Sequence, residues 1–298
     1  KIDVLSCVSG GSIAGGCVVS RWGRPDALVN LENYLKTRSI AVASVLGGII
    51  DPFESRLDKL AESYNQDLFP EKGLTLKALA AGPRIYFNAT NLATGNLFFF
   101  VAGEKKETVM GEHELGVVDA ANFPVCLAIA ASSAFPPVFP PLRLNAKDYR
   151  HAADIDYVTL CDGGVYDNMG IAPLLRDRND LQYIIVSDGG KPFANTEKPT
   201  ESGSVVLLAG FDIIMEQIRG LEFDRLKFRH QAGAGPKPLW FSIDSLEGEA
   251  MPGDAAFASS IKTDLRKLTD AEMTVLTRQG GSLVHARLAK YAPELLGR

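Results

Sequence analysis

The hydrophobic pattern of this chain keeps switching between strand-like and helix-like spacing. Ile2 to Val8 is a short, mostly apolar run, the pattern of a strand buried in a parallel sheet. Tyr157–Cys161, Leu181–Ser187 (LQYIIVS) and Leu239–Ile243 (LWFSI) read as further strands. Arg84–Ala89 and Leu97–Val101 flank the turn-rich NLATGN and predict a hairpin. Helices are expected over Gly10–Arg21, Leu74–Ala81, Phe123–Ser133 and Val205–Gln231. Gly82-Pro83 stops the second of these. Asp51-Pro52-Phe53-Glu54 is a helix start, with Asp as cap and Pro at the first position, and that helix should run to about Asp67. Thr269-Asp270-Ala271-Glu272 is a capping box opening the C-terminal helices. AFPPVFPP, after Ser133, forces an extended loop, and 191–204 reads as a polar loop.

Strands alternating with helices imply an α/β fold, a mostly parallel sheet covered by helices on both faces. No internal repeat or boundary signal is visible, so 1–298 is expected to be one domain. Hydrophobic residues at 46% and charged residues at 22% fit a globular protein. A net charge of −5 without a basic block argues against a nucleic-acid partner, but leaves lipid substrates open. No apolar run reaches the roughly 18 residues that a membrane-spanning helix needs. Cys7, Cys17, Cys126 and Cys161 are far apart with no CxxC pair, which disfavours a zinc site and reads as small buried hydrophobes in a reducing setting. The opening IDVLSCV resembles an interior strand, so a segment upstream of Lys1 is expected.

The chemistry starts at SCVSGGSIAGGC, residues 6–17, where a strand meets a helix. Cys7-Val8-Ser9-Gly10-Gly11 occupies the nucleophile-elbow position x-x-S-x-G, which needs small neighbours to push the serine oxygen out of the turn. The following helix would aim its first N–H groups at a developing oxyanion, with Gly10 the first donor. Ser12 is the rival serine, but it falls inside the first helical turn and should be less exposed. A P-loop would need Gly-Lys-Ser/Thr and a dinucleotide turn G-x-G-x-x-G, and neither spacing is present.

A serine hydroxyl needs a base. His113 lies in a charged loop, His230 near a helix end and His285 on a C-terminal helix, and none of the four histidines sits beside glycine at a strand end; His151, in YRHAAD, is the strongest of them. Asp162 fits better, because Tyr157–Cys161 runs into Asp162-Gly163-Gly164 and parallel strands gather their C-terminal ends at one edge. As a base, Asp162 would require a dry pocket. Asp188 competes, since IIVSDGG has the same form. The compact VYDNMGIAP after Asp162, against the loose KPFANTEKPTES after Asp188, favours Asp162.

With VSGGS, PRIYFNATNLATG, AIAASSAFPPVFPPL and CDGGVYDNMGIAPL in this order, the chain resembles the patatin-like phospholipases. It is similar also to the group IV cytosolic phospholipase A2 catalytic core. The resemblance implies a serine acyl hydrolase that cleaves phospholipid or lysophospholipid esters through an acyl-enzyme. It would use a Ser9–Asp162 dyad and no histidine, cofactor or metal. Cys7 stands where the family's elbow has glycine. The family's glycine-rich oxyanion loop precedes the elbow strand, so the chain is expected to lack that segment. A non-catalytic lipid-binding or scaffold member of the same fold is the alternative. Three apolar stretches, 40–50 (IAVASVLGGII), 97–101 (LFFFV) and 134–142 (AFPPVFPPL), are candidates to line an acyl pocket or touch a bilayer, with core packing as their other role. A cytoplasmic or peripherally membrane-associated location is expected, with any membrane attachment weak.

Overall fold

In a computed structural model, residues 2–38, 56–69, 71–104, 107–136, 138–152, 154–176, 180–190, 203–262 and 266–297 are described. The helix start at Asp51, the apolar stretch 40–50 and most of the polar loop 191–204 lie outside them. Contacts divide the chain into two compact units, Lys1–Pro173 with Leu265–Lys267, and Leu174–Asp264 with Leu268–Arg298. The division falls within IAPLL, where no run of glycine or polar residues marks it.

The first unit holds β1 (Val4–Val8), α1 (Gly10–Ser20), α2 (Ala27–Thr37), α3 (Arg56–Ser63), β2 (Arg84–Asn91), β3 (Asn96–Ala102), β4 (Val109–Glu112), β5 (Gly116–Asp119), α4 (Val125–Ser132), β6 (Leu142–Asn145) and β7 (Tyr157–Asp162). α3 runs on through a π turn over Tyr64–Leu68, and the helix expected at Leu74–Ala81 is a 3-10 segment over Leu76–Ala81. The strands join in the order β5-β4-β3-β2-β7-β6, with β1 also on β2.

Among the described residues of this sheet, only β1 and β2 pair in parallel, and every other pairing is antiparallel. This corrects the mostly parallel sheet. The α/β class stands, but consecutive strands such as β2–β3 and β4–β5 are linked by tight turns, which only antiparallel neighbours allow. Cys7, Ile85, Phe87, Ala89, Phe98 and Phe100 share one core with Ile13 and Cys17 of α1 and Ala128 and Ile129 of α4. Tyr86, Phe99 and Val101 form a separate, smaller cluster with Val4 and Val109.

α1 can approach the sheet closely because its inner positions are glycines. A Cβ at Gly15 would lie 2.4 Å from Cys7 Sγ, and one at Gly16 would lie 2.5 Å from Ile129 Cδ1. Cys7 is thus accommodated in the elbow strand by Gly15 across from it. Its burial pushes the thiol up to about 12 and keeps it protonated.

In the second unit, β8 (Tyr183–Asp188) and β9 (Lys237–Ser242) form a parallel pair linked through α5 (Gly203–Gln231). α6 (Asp254–Ser260) packs with α7 (Asp270–Tyr291), which opens on the expected Thr269–Glu272 capping box. Among the described residues, no helix is long and apolar enough to cross a membrane.

Candidate active site

The edge of β2 is shared by two strands. β1 runs along its first half and ends with Val8 opposite Asn88; β7 runs the other way along its second half and ends with Asp162 opposite Ala89. Two strand ends therefore meet head-on at neighbouring positions of one partner. Ser9 follows directly after β1, and Asp162 closes β7. Sequence reasoning expected the two residues to meet at a common edge of parallel strands; they meet through opposed strands instead.

Ser9 has φ 52° and ψ −125°, a left-handed conformation that costs a non-glycine residue about 1–3 kcal/mol. A serine at a helix N-cap normally turns its hydroxyl back to the helix N–H groups. Ser9 makes no such bond. Its amide is tied down instead, donating to the Ser132 carbonyl at 3.1 Å and the Ser132 hydroxyl at 3.3 Å.

Asp162 is 1% exposed. Burial pushes its carboxyl up to about 6, partly offset by the Gly164 N–H donating to Oδ1 at 2.8 Å and by the Ser9 side chain. Oδ2 completes no hydrogen bond in the structure. The Ser9 contact is therefore looser than a full hydrogen bond. Gly163 is required by close approach: a Cβ there would sit 2.2 Å from the Asn88 carbonyl oxygen. Asp167, 1% exposed, accepts from the Ile171 and Ala172 amides and holds the DGGVYDN turn in place.

The other candidates fall elsewhere. Ser12 is fully buried in α1, its hydroxyl 2.7 Å from that of Ser132. Asp188 belongs to the second unit, where its carboxylate pairs with Arg219 and accepts the Gly190 N–H. All four histidines are exposed. Gly10 begins α1, and a Cβ on Gly10 or Gly11 would meet nothing within 4 Å. Helix geometry leaves the Gly10 and Gly11 N–H groups without an intrahelical acceptor, while the Ser12 N–H already donates to Ser9 O at 2.9 Å.

LFFFV is β3 and is buried throughout, so that stretch packs core. The described residues after Ser133 do not run extended as expected: Val138 and Phe139 both donate backbone N–H bonds to Phe135 O, and Val138 is exposed. A cavity of about 250 Å³ beside Phe223, Leu239 and Trp240 lies in the second unit and contains neither Ser9 nor Asp162. Among the described residues, no three His, Cys, Asp or Glu side chains gather as a metal site.

Sequence reasoning missed Ser132. Its bonding partners lie 44 and 123 residues away, and its local sequence, AASSAF, reads only as the end of a helix.

The fold and site define an α/β protein with a serine on a strained elbow beside a buried carboxyl. The family described as Patatin-like phospholipase matches residues 1–175, more than half of the chain. The protein belongs to the patatin-like phospholipase family, which is one of lipid acyl hydrolases. A comparison with curated proteins found no match.

Proposed function

We propose that this protein is a serine acyl hydrolase that cleaves phospholipid or lysophospholipid esters with a Ser9–Asp162 dyad. The observation that carries the reading is the head-on meeting of β1 and β7 on β2, which sets a strained serine beside a nearly dry carboxyl. In this reading Asp162 takes the Ser9 hydroxyl proton as Ser9 Oγ attacks the ester carbonyl carbon. The Gly10 N–H donates to the resulting oxyanion; one such donor is worth about 10²–10³ in rate. The tetrahedral species collapses, the bond to the leaving alcohol breaks, and Asp162 returns its proton to that oxygen. Water then attacks the acyl-enzyme and gives a proton to Asp162, and Ser9 recovers it as the fatty acid leaves.

A carboxyl near 6 suits both halves of the cycle: it is ionised enough at neutral pH to accept the proton and acidic enough to give it back. The Ser9 hydroxyl has no capping duty to break before it attacks. A fluorophosphonate probe should modify Ser9 in the wild-type protein and not in Ser9→Ala, and phospholipid turnover should vanish in Ser9→Ala and Asp162→Asn. Modification at Ser12, or lipid binding with no ester cleavage by the wild-type chain, would overturn the reading.

A further inference from the structure

We infer that Ser132 is a positioning residue for Ser9, and that the segment Ser132–Ala134 sets the spacing between Ser9 and Asp162. The inference rests on the reading of Ser9 as nucleophile. Ser132 is fully buried where α4 ends. Its hydroxyl donates to the Asn88 carbonyl at 2.5 Å. That uses its only proton, so in the 2.7 Å pair with Ser12 the donor is the Ser12 hydroxyl. The remaining lone pair takes the Ser9 N–H at 3.3 Å. One hydroxyl thus uses its full bonding capacity and ties the elbow, α1 and β2 together.

The same segment holds the other strand end. Two residues beyond Ser132, the Ala134 carbonyl accepts the Asp162 N–H at 3.0 Å. Between them, Ser133 Oγ donates to Ile129 O and pairs with the buried Tyr64 hydroxyl at 3.1 Å, pinning the segment to the π turn after α3. Asn88 closes the circuit: its Nδ2 donates to Cys7 O at 3.0 Å and to Ser6 Oγ at 2.9 Å, so β1 cannot slide while Asn88 is held.

This arrangement accounts for how Ser9 keeps a left-handed backbone. Its amide points into two acceptors of one residue rather than into the helix. Remove the Ser132 hydroxyl and the carbonyl bond at 3.1 Å remains. The chain still folds through the elbow, but Ser9 gains freedom to swing, Asn88 O loses the Ser132 donor, and Ser12 is left with a buried unpaired hydroxyl. A displacement of about 1 Å between reacting groups costs about 10²-fold in rate.

The test is pre-steady-state reaction of the full chain with a fluorophosphonate, with turnover of a phospholipid ester measured in parallel. Ser132→Ala is expected to lower both the rate constant for Ser9 modification and kcat by about 10- to 100-fold. KM and the acid limb of the pH profile should stay unchanged, and every molecule should eventually be modified. Ser132→Cys, close in volume and still a weak donor, should recover part of the rate. Ser12→Ala, which removes only the donor to Ser132, should give a smaller loss of the same kind. A merely structural role for Ser132 predicts the opposite split: a smaller reactive fraction whose rate constant is wild-type. That result, or wild-type kinetics in Ser132→Ala, overturns the inference. If Ser132→Ala does not fold, Ser132→Cys and Ser12→Ala decide the matter by the same rate constants. Failure of the underlying reading is separate, because the wild-type protein would then not be modified at Ser9 at all.

Discussion

Asp162→Asn should make the first unit more stable as the pH rises, while abolishing turnover. In the folded chain the carboxyl is raised from an ordinary value near 3.8 to about 6, first of all by burial. A raised carboxyl stabilises the fold only while it is protonated. Below about pH 4 both states are protonated and no penalty applies. As the pH rises through 6, the folded protein must hold an ionised, nearly dry carboxylate that the unfolded chain would hold in water. A shift of about 2 pH units corresponds to about 3 kcal/mol at neutral pH. Asparagine keeps the shape and the acceptor for the Gly164 N–H but cannot ionise. The stability difference between variant and wild type should therefore grow by about 3 kcal/mol in favour of the variant between pH 4 and pH 7.5. Trp22 lies in the first unit and Trp240 in the second. Urea unfolding followed by fluorescence in a Trp240→Phe background reports on the right unit. A difference that stays flat across this range would refute the claim that Asp162 is buried as a costly anion.

Three further outcomes follow from the same geometry. If Asp162 is the proposed base, the acid limb of kcat/KM should fall near pH 6 rather than near 4, measured from pH 4.5 to 8, because in that role it would have to be ionised to take the Ser9 proton. Ser9→Gly should be more stable than Ser9→Ala by about 1 kcal/mol, since only glycine adopts the elbow's left-handed backbone without strain; denaturant midpoints compare the two. Gly15→Ala should destabilise by about 1–3 kcal/mol through its clash with Cys7 Sγ, and Cys7→Ala in the same chain should recover most of that loss, because the two Cβ atoms would then be 3.5 Å apart. A double-mutant cycle showing simple additivity would remove Gly15 as the reason that cysteine fits the elbow.

Much of the site was legible because its signals are local. A short apolar run followed by S-G-G marks a strand that breaks into a helix, and Tyr157–Cys161 running into DGG marks another strand end. The burial of Ser12 follows from its place inside the first helical turn. The burial of Cys7, Cys17 and Cys161, though not of the half-buried Cys126, and the capping box at Thr269 are equally local. The direction of the strands was not legible. A run such as RIYFNA has the same pattern whether its neighbours run with it or against it, so alternation suggested a parallel sheet where hairpins had built an antiparallel one. The return of Val138 and Phe139 to Phe135 O was hidden too, since the prolines around them limit backbone angles without saying where bonds close.

The order of residues by itself therefore determined which positions could carry chemistry: a serine among glycines after a strand, an aspartate before two glycines after another, and histidines in exposed settings. Only the tertiary structure decided how these positions stand to each other. It ended β1 and β7 against each other on β2, left Asp162 nearly dry, fitted Cys7 over Gly15, and made Ser132 the tie between strand ends far apart in the chain. The physical reason is that desolvation, close approach and hydrogen-bond direction are properties of space. They arise between residues separated by tens to more than a hundred positions, where no local pattern can record them.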